Sequence, residues 1–190
     1  MLKTCYDEQE VNKMDKNQTE LNLKEAFWTL YSKKPIKKIT VKEITDLAGY
    51  NRGTFYLYFK DTYEILETIE AELLDVVRGV IENLIKIDDK NNISIHMNAL
   101  IEISQQYVKY TNVLFNDYDF VSKLKEIIRP LISQWILNEQ SLNNIQYDFI
   151  MEFYLSGLLS IIAKWLNNPQ SMNIEEFADF IIHFLFQDHQ

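Results

Sequence analysis

The 190-residue sequence is poor in the residues that make turns, staples and metal sites. Four glycines and three prolines are too few for a turn-rich β sandwich or a collagen-like chain. A single cysteine, Cys5, excludes an internal disulfide, and with no secretory signal ahead of it the expected setting is reducing and cytoplasmic. The three histidines, His96, His183 and His189, stand at no ligand-like spacing to cysteine or carboxylates, so neither a metal nor a cofactor is expected. No glycine loop of the kind that cradles a phosphate occurs. No uninterrupted apolar run reaches the roughly 18 to 20 residues that span a bilayer; the longest, residues 153 to 163, ends at Lys164. Positive charge is also scarce, with 19 Lys and Arg against 28 Asp and Glu and a net charge of −9, which taken whole argues against nucleic acid.

What is present is helix-forming. Apolar residues make up 47% and charged residues 25%, enough for a buried core in one or two domains. Residues 1 to 16 are polar with no helical period and are expected to form a mobile arm. In a first helix Leu23, Ala26, Phe27, Leu30 and Tyr31 share one face, ending ahead of Pro35. Thr40-Val-Lys-Glu43 is a capping box that opens a two-turn helix with Val41, Ile44, Leu47 and Ala48 as its apolar face, and Gly49 stands where a left-handed residue stops it. Asn51 caps a third short helix carrying Phe55 and Phe59 inward.

Asp61 to Glu64 then opens a long amphipathic helix with Ile65, Ile69, Leu73, Val76, Val80, Leu84 and Ile87 on one face. Helices follow over 93–111, 119–138 (kinked or divided at Pro130), 147–166 and 174–187, with a turn or one short helix over 112–118. The reading is all-α with about nine helices: an arm over 1–16, a three-helix helix-turn-helix domain over 17–62, and a bundle over 63–190. Residues 147 to 166 are apolar nearly all round, and such a helix must be covered on every side. The last two helices are therefore expected to pair with a second copy of the chain through Tyr154, Leu158, Ile161, Trp165, Phe177, Ile181 and Phe184.

Two short helices about a tight turn, steadied by a preceding helix, form the arrangement whose second helix enters the major groove of DNA. The local charge agrees. Residues 32 to 60 hold seven bases, Lys33, Lys34, Lys37, Lys38, Lys42, Arg52 and Lys60, against Glu43 and Asp46. This segment carries +5 and the rest of the chain −14, so the sign DNA meets is not the sign of the whole. Arg52, at the exposed start of the third helix, is the first choice for base reading, because its fork bonds guanine O6 and N7 together. Gly53 leaves room for close backbone approach, Thr54 suits a phosphate or a thymine methyl, and Lys60 suits a phosphate.

The stretch from Leu21 to Leu66, LNLKEAFWTLYSKKPIKKITVKEITDLAGYNRGTFYLYFKDTYEIL, resembles the amino-terminal DNA-binding domain of the TetR family of transcriptional regulators. Thr-Val-x-x-Ile at 40–44, Ala48-Gly49 and Arg-Gly-Thr-Phe-Tyr-x-Tyr-Phe at 52–59 carry the resemblance together. It implies a homodimeric, ligand-responsive regulator, a repressor, on a pseudopalindromic operator, with a variable effector-binding bundle. It also implies phosphate contacts from Thr40, at the positive end of its helix, and from Tyr56 and Tyr58, and a phosphate or base contact from Lys42. The chain departs from the family at Thr62, where many members have a phosphate-binding lysine. With the acidic remainder, that departure motivates the alternative of a TetR-like protein-interaction module acting through a partner protein without touching DNA.

Other features are weaker. Tyr107, Tyr110, Phe115, Trp135, Phe153 and Tyr154 are numerous enough to line an apolar pocket for a small-molecule effector, although aromatics at helical spacing equally fill a core. Asp88-Asp89 sits in a polar break, and Gly157 after Ser156 lies inside a helix, without the preceding strand a nucleophile turn needs. No enzyme is expected.

Overall fold

The computed structural model describes residues 18–86, 110, 113–135, 143–168 and 171–186. Among them every regular element is helical. Helix α1 covers residues 18–31, and a 3-10 turn follows at Ile36–Lys38. Then come α2 (Val41–Ala48), α3 (Arg52–Tyr56), α4 (Thr62–Ile85), α5 (Tyr118–Trp135), α6 (Asn144–Asn167) and α7 (Ile174–Phe186). The expected arm and the helix over 93–111 lie outside the described residues, save Tyr110.

The chain divides into two compact units, Met1–Ala71 and Glu72–Gln190. In the first, Leu23, Ala26, Phe27 and Trp28 of α1, Ile44 of α2, Phe55 and Phe59, and Ile65, Leu66 and Ile69 of α4 are buried. Each such side chain removed from water contributes about 1.5–3 kcal/mol, which is how helices of eight and five residues, too short to stand alone, are held. One expected core residue is out of place. Leu47 is exposed, because Ile44 and Thr45 take the inward positions of α2.

In the second unit, Leu73, Leu74, Val80, Ile81 and Leu84 of α4 are buried, as are Phe120, Leu124, Ile128, Leu131 and Ile132 of α5. Of the two outcomes expected at Pro130, kinking or division, division does not occur: helix α5 runs through it. The proline ring lies on the exposed side, where the carbonyl it leaves unpaired can be hydrated. Gln134 Nε2 donates to the Ile85 carbonyl at 3.1 Å, tying the ends of α4 and α5.

Helix α6 begins three residues before its expected start. Asn143 accepts from the Ile145 and Gln146 amides, while Gln146 accepts from the Asn143 amide at 3.1 Å. Met151, Leu155, Leu159 and Leu166 are its buried stripe. By length and composition α6 is apolar enough to cross a membrane, since its polar residues are spread thinly through it. An ion pair is built onto it, however: Lys125 Nζ lies 2.5 Å from Glu152 Oε1 and donates to Ser156 Oγ at 2.8 Å. Such a group belongs in water or a protein interface and not in hydrocarbon.

Candidate nucleic-acid interface

The interface is built from two caps and one turn. Helix α2 opens with both halves of a capping box: Thr40 Oγ1 accepts from the Glu43 amide at 3.3 Å, and Glu43 Oε2 accepts from the Thr40 amide at 3.0 Å. Gly49 closes α2 at φ 77°, a left-handed conformation that strains any residue with a Cβ. Asn51 Oδ1 accepts from the Thr54 amide at 2.9 Å and so starts α3 two residues later. Tyr50, between the two helices, is fixed by a hydrogen bond from Asn22 Nδ2 of α1 to its hydroxyl at 3.1 Å.

These contacts place the expected site residues. Lys42, Arg52, Gly53, Tyr56 and Lys60 are exposed, and Thr54 and Tyr58 are half-buried. Arg52 is the first residue of α3 and projects from its start. Tyr56 stands edge-on to buried Phe55, with centroids 5.5 Å apart, which leaves its ring 58% exposed. Tyr58 leans toward Phe59 at 6.4 Å.

Three details change the local chemistry. Thr40 is exposed, but its donors are not aimed at solvent: its amide and its hydroxyl, at 2.9 Å, both donate to Glu43 Oε2. A phosphate bound by the Thr40 amide and hydroxyl must displace that carboxylate. Glu43 is further held by Lys34 Nζ at 2.6 Å. The Lys34 ammonium first, then the Thr40 amide and hydroxyl, hold the Glu43 carboxyl down at about 2. Lys34 is thereby matched to an acid, and Lys33, Lys37, Lys38, Lys42, Arg52 and Lys60 are the bases facing water in this segment.

Gly53 has a second reason to be glycine. A Cβ there would sit 3.0 Å from the capping oxygen of Asn51, so the residue clears the cap as well as the approach. Thr62 is buried as the first residue of α4, behind Asp61, whose carboxylate accepts from the Tyr63 and Glu64 amides at 2.8 and 2.9 Å. Glu64 in turn accepts from the Lys60 amide. The fourth-helix terminus is thus satisfied by acids and offers a phosphate no free amide at these positions.

A profile of bacterial regulatory proteins of the tetR family matches residues 25–69, and one of transcriptional regulator C-terminal regions matches residues 91–187. The chain belongs to the TetR family. Two HTH-type transcriptional regulators of Bacillus subtilis are similar in sequence. YfiR is 26% identical over 92% of this chain and 78% of its own length. YxbF is 22% identical over 88% of this chain, which spans only 45% of YxbF. Among solved structures, a TetR regulator from Streptococcus agalactiae superimposes with a TM-score of 0.63 at 19% identity, over 94% of this chain and 99% of that one. The fatty acid degradation regulator FadR from Bacillus halodurans does so at 0.62 and 13%, over 90% and 96%. The TetR family consists of DNA-binding transcriptional regulators and not enzymes, and the all-α expectation holds throughout the described residues.

In the carboxyl-terminal unit of this TetR regulator only some of the expected pocket residues lie among the described ones, and of these Phe153 and Tyr154 are in edge-on ring contact at 5.7 Å. Tyr107 and the side chain of Trp135 lie outside the described residues. Tyr110, Phe115 and Tyr154 are half-buried, with Phe115 lying 6.4 Å from the ring of Phe120. Phe153 is 73% exposed. The inward side of α6 is taken by Met151 and Leu155, and a helix can turn only one face inward. A cavity of about 510 Å³ does open between α4 and α5, lined by Arg78, Ile81, Glu82, Ile85, Lys123, Glu126, Ile127 and Pro130. It includes none of the expected residues.

The residues expected at a dimer contact fare differently. Tyr154, Leu158, Ile161 and Trp165 lie half-buried on one flank of α6, and Phe177 and Ile181 are half-buried on α7; the Phe184 side chain is outside the described residues. Trp165 and Phe177 stack on each other at 4.7 Å and 8°, and Trp165 Nε1 donates to the Met172 carbonyl. Sequence reasoning missed a second stripe on α6, Ile145, Phe149 and Phe153, between 69% and 74% exposed. Its spacing of four was visible, but nothing in a uniformly apolar helix marks which face is inner.

Proposed function

We propose that this TetR regulator represses transcription as a homodimer on a pseudopalindromic operator and is released by a small-molecule effector bound in its carboxyl-terminal bundle. Residues 17–62 are the DNA-binding part and residues 63–190 the effector-binding and dimerising part. Carrying the reading is the pair of capped short helices in a segment of +5, with Lys42, Arg52, Tyr56 and Lys60 exposed along it. Arg52 reads a guanine edge, Gly53 lets the backbone come close, and Lys42, Thr54, Tyr56, Tyr58 and Lys60 hold phosphates. Thr40 contributes through its place at the helix start, since its hydroxyl and amide serve Glu43.

Dimerisation is supported by the half-buried flank of α6 and α7 and by the exposed stripe Ile145, Phe149 and Phe153, since contiguous apolar surface on a water-facing helix marks an interface. Two copies present two recognition helices to successive major grooves roughly 34 Å apart. An effector switches the protein only by preferring the conformer that misses that spacing.

Fluorescence anisotropy on duplexes from around the protein's own gene, with the full chain at 0.05 to 0.2 M salt, tests this. The expected result is sequence-dependent binding that weakens steeply with salt, and little binding to arbitrary duplex near 0.15 M. A reporter assay with Arg52→Ala separates this reading from a partner-bound module, which buried Thr62 and the acid-capped start of α4 favour. Regulation that survives Arg52→Ala would establish the module.

A further inference from the structure

Leu57 is 82% exposed, in a unit where Leu23, Phe27, Ile44, Phe55, Phe59, Ile65 and Ile69 are all buried. It follows the last residue of α3 with φ −76° and ψ −20°, so helical geometry continues through it. Counting about 100° per residue, Leu57 lies about 160° around α3 from Phe55, the fully buried residue that fixes the inner side. It is the outermost side chain of the recognition helix. The position one turn before it on the same line is Gly53, which has no side chain to screen it. Arg52 and Tyr56 lie to one side and Thr54 to the other.

An isobutyl group held out in water does nothing for the free protein, and it makes no hydrogen bond to a phosphate. In the major groove the only apolar group on the base edges is the 5-methyl of thymine. We infer that Leu57 is a specificity-determining residue that covers a thymine methyl on the floor of the major groove, next to the base that Arg52 reads. The inference rests on the DNA-binding reading above and adds a preference for the thymine methyl that polar contacts alone do not supply, since uracil offers the same hydrogen-bonding edge.

The test starts from a random duplex library selected with the full chain. Each thymine of the selected duplex is then replaced singly by deoxyuridine, which removes one methyl and leaves every hydrogen bond in place. Wild type is expected to lose about threefold to tenfold in affinity at one position per half-site. Leu57→Ala should bind the thymine duplex weaker by a similar factor and be indifferent to uracil there, while Leu57→Met keeps the preference. Since Leu57 touches no core, both variants should melt like wild type. If no sequence is enriched, the DNA-binding reading falls and this inference with it. If the duplex is enriched but uracil is tolerated everywhere, or its cost persists in Leu57→Ala, the assignment of Leu57 alone is overturned.

Discussion

The helix-turn-helix segment and helix α6 both leave large side chains in water, but they do so in opposite ways. Around α3 the exposed groups are single and chemically mixed, Arg52, Tyr56, Leu57 and Lys60, on a helix too short to exist without its caps. On α6 the exposed groups are alike and in line, Ile145, Phe149 and Phe153, on a helix of 24 residues. Mixed groups at different positions suit a surface that reads a pattern, such as a groove of donors, acceptors and methyls. Repeated apolar groups suit a surface that is simply covered. The first region carries information and the second carries area.

Mutations can break that contrast, and the largest effect is expected on the covered face. Phe149→Glu with Phe153→Glu should turn a dimer into a monomer in sedimentation or light scattering and lower operator affinity by about a hundredfold or more, because two half-sites are then bound independently. A variant that stays dimeric would move the interface to the flank of Leu158 and Ile161. Next, Arg52→Ala should lower operator affinity by about tenfold to a hundredfold with an unchanged melting temperature, as expected for a bidentate base contact made by an exposed side chain.

A smaller effect belongs to the cap itself. Thr40→Ala should destabilise the amino-terminal unit by about 1 kcal/mol, read as a melting temperature lower by several degrees. If it instead weakened DNA binding alone, Thr40 would be a contact residue and not a cap. Smallest is the contribution of Glu43. Its carboxyl is held at about 2 in the fold against an ordinary 4.5. The stabilisation is therefore fully present above pH 4.5 and is lost as pH falls through about 2. The melting difference between wild type and Glu43→Gln should shrink steadily over that window, and a difference constant down to pH 2 would contradict the Lys34 and Thr40 contacts as its source.

Legibility differed along the chain for a physical reason. The Thr40 to Glu43 box, the Gly49 stop, the Asn51 cap and the Asp61 cap were readable because each is chemistry between residues three or so apart. The basic segment was readable once charge was counted locally and not over the whole chain. Leu47 and Leu57 were not, because an apolar residue looks the same in a sequence whether it is inside or outside. Only Phe55 and Ile44, once buried, define which way each short helix faces.

By itself, then, the sequence determined the short helices of the amino-terminal part, where they start, its positive charge and the family it resembles, since all of these depend on neighbours along the chain. Tertiary structure decided that Lys34 reaches Glu43, that Thr62 is buried, that Phe153 faces water and that Leu57 stays exposed just after α3. Each of those depends on what packs against a helix from elsewhere in the chain. On a helix as uniformly apolar as α6, periodicity has no face to report until packing chooses one.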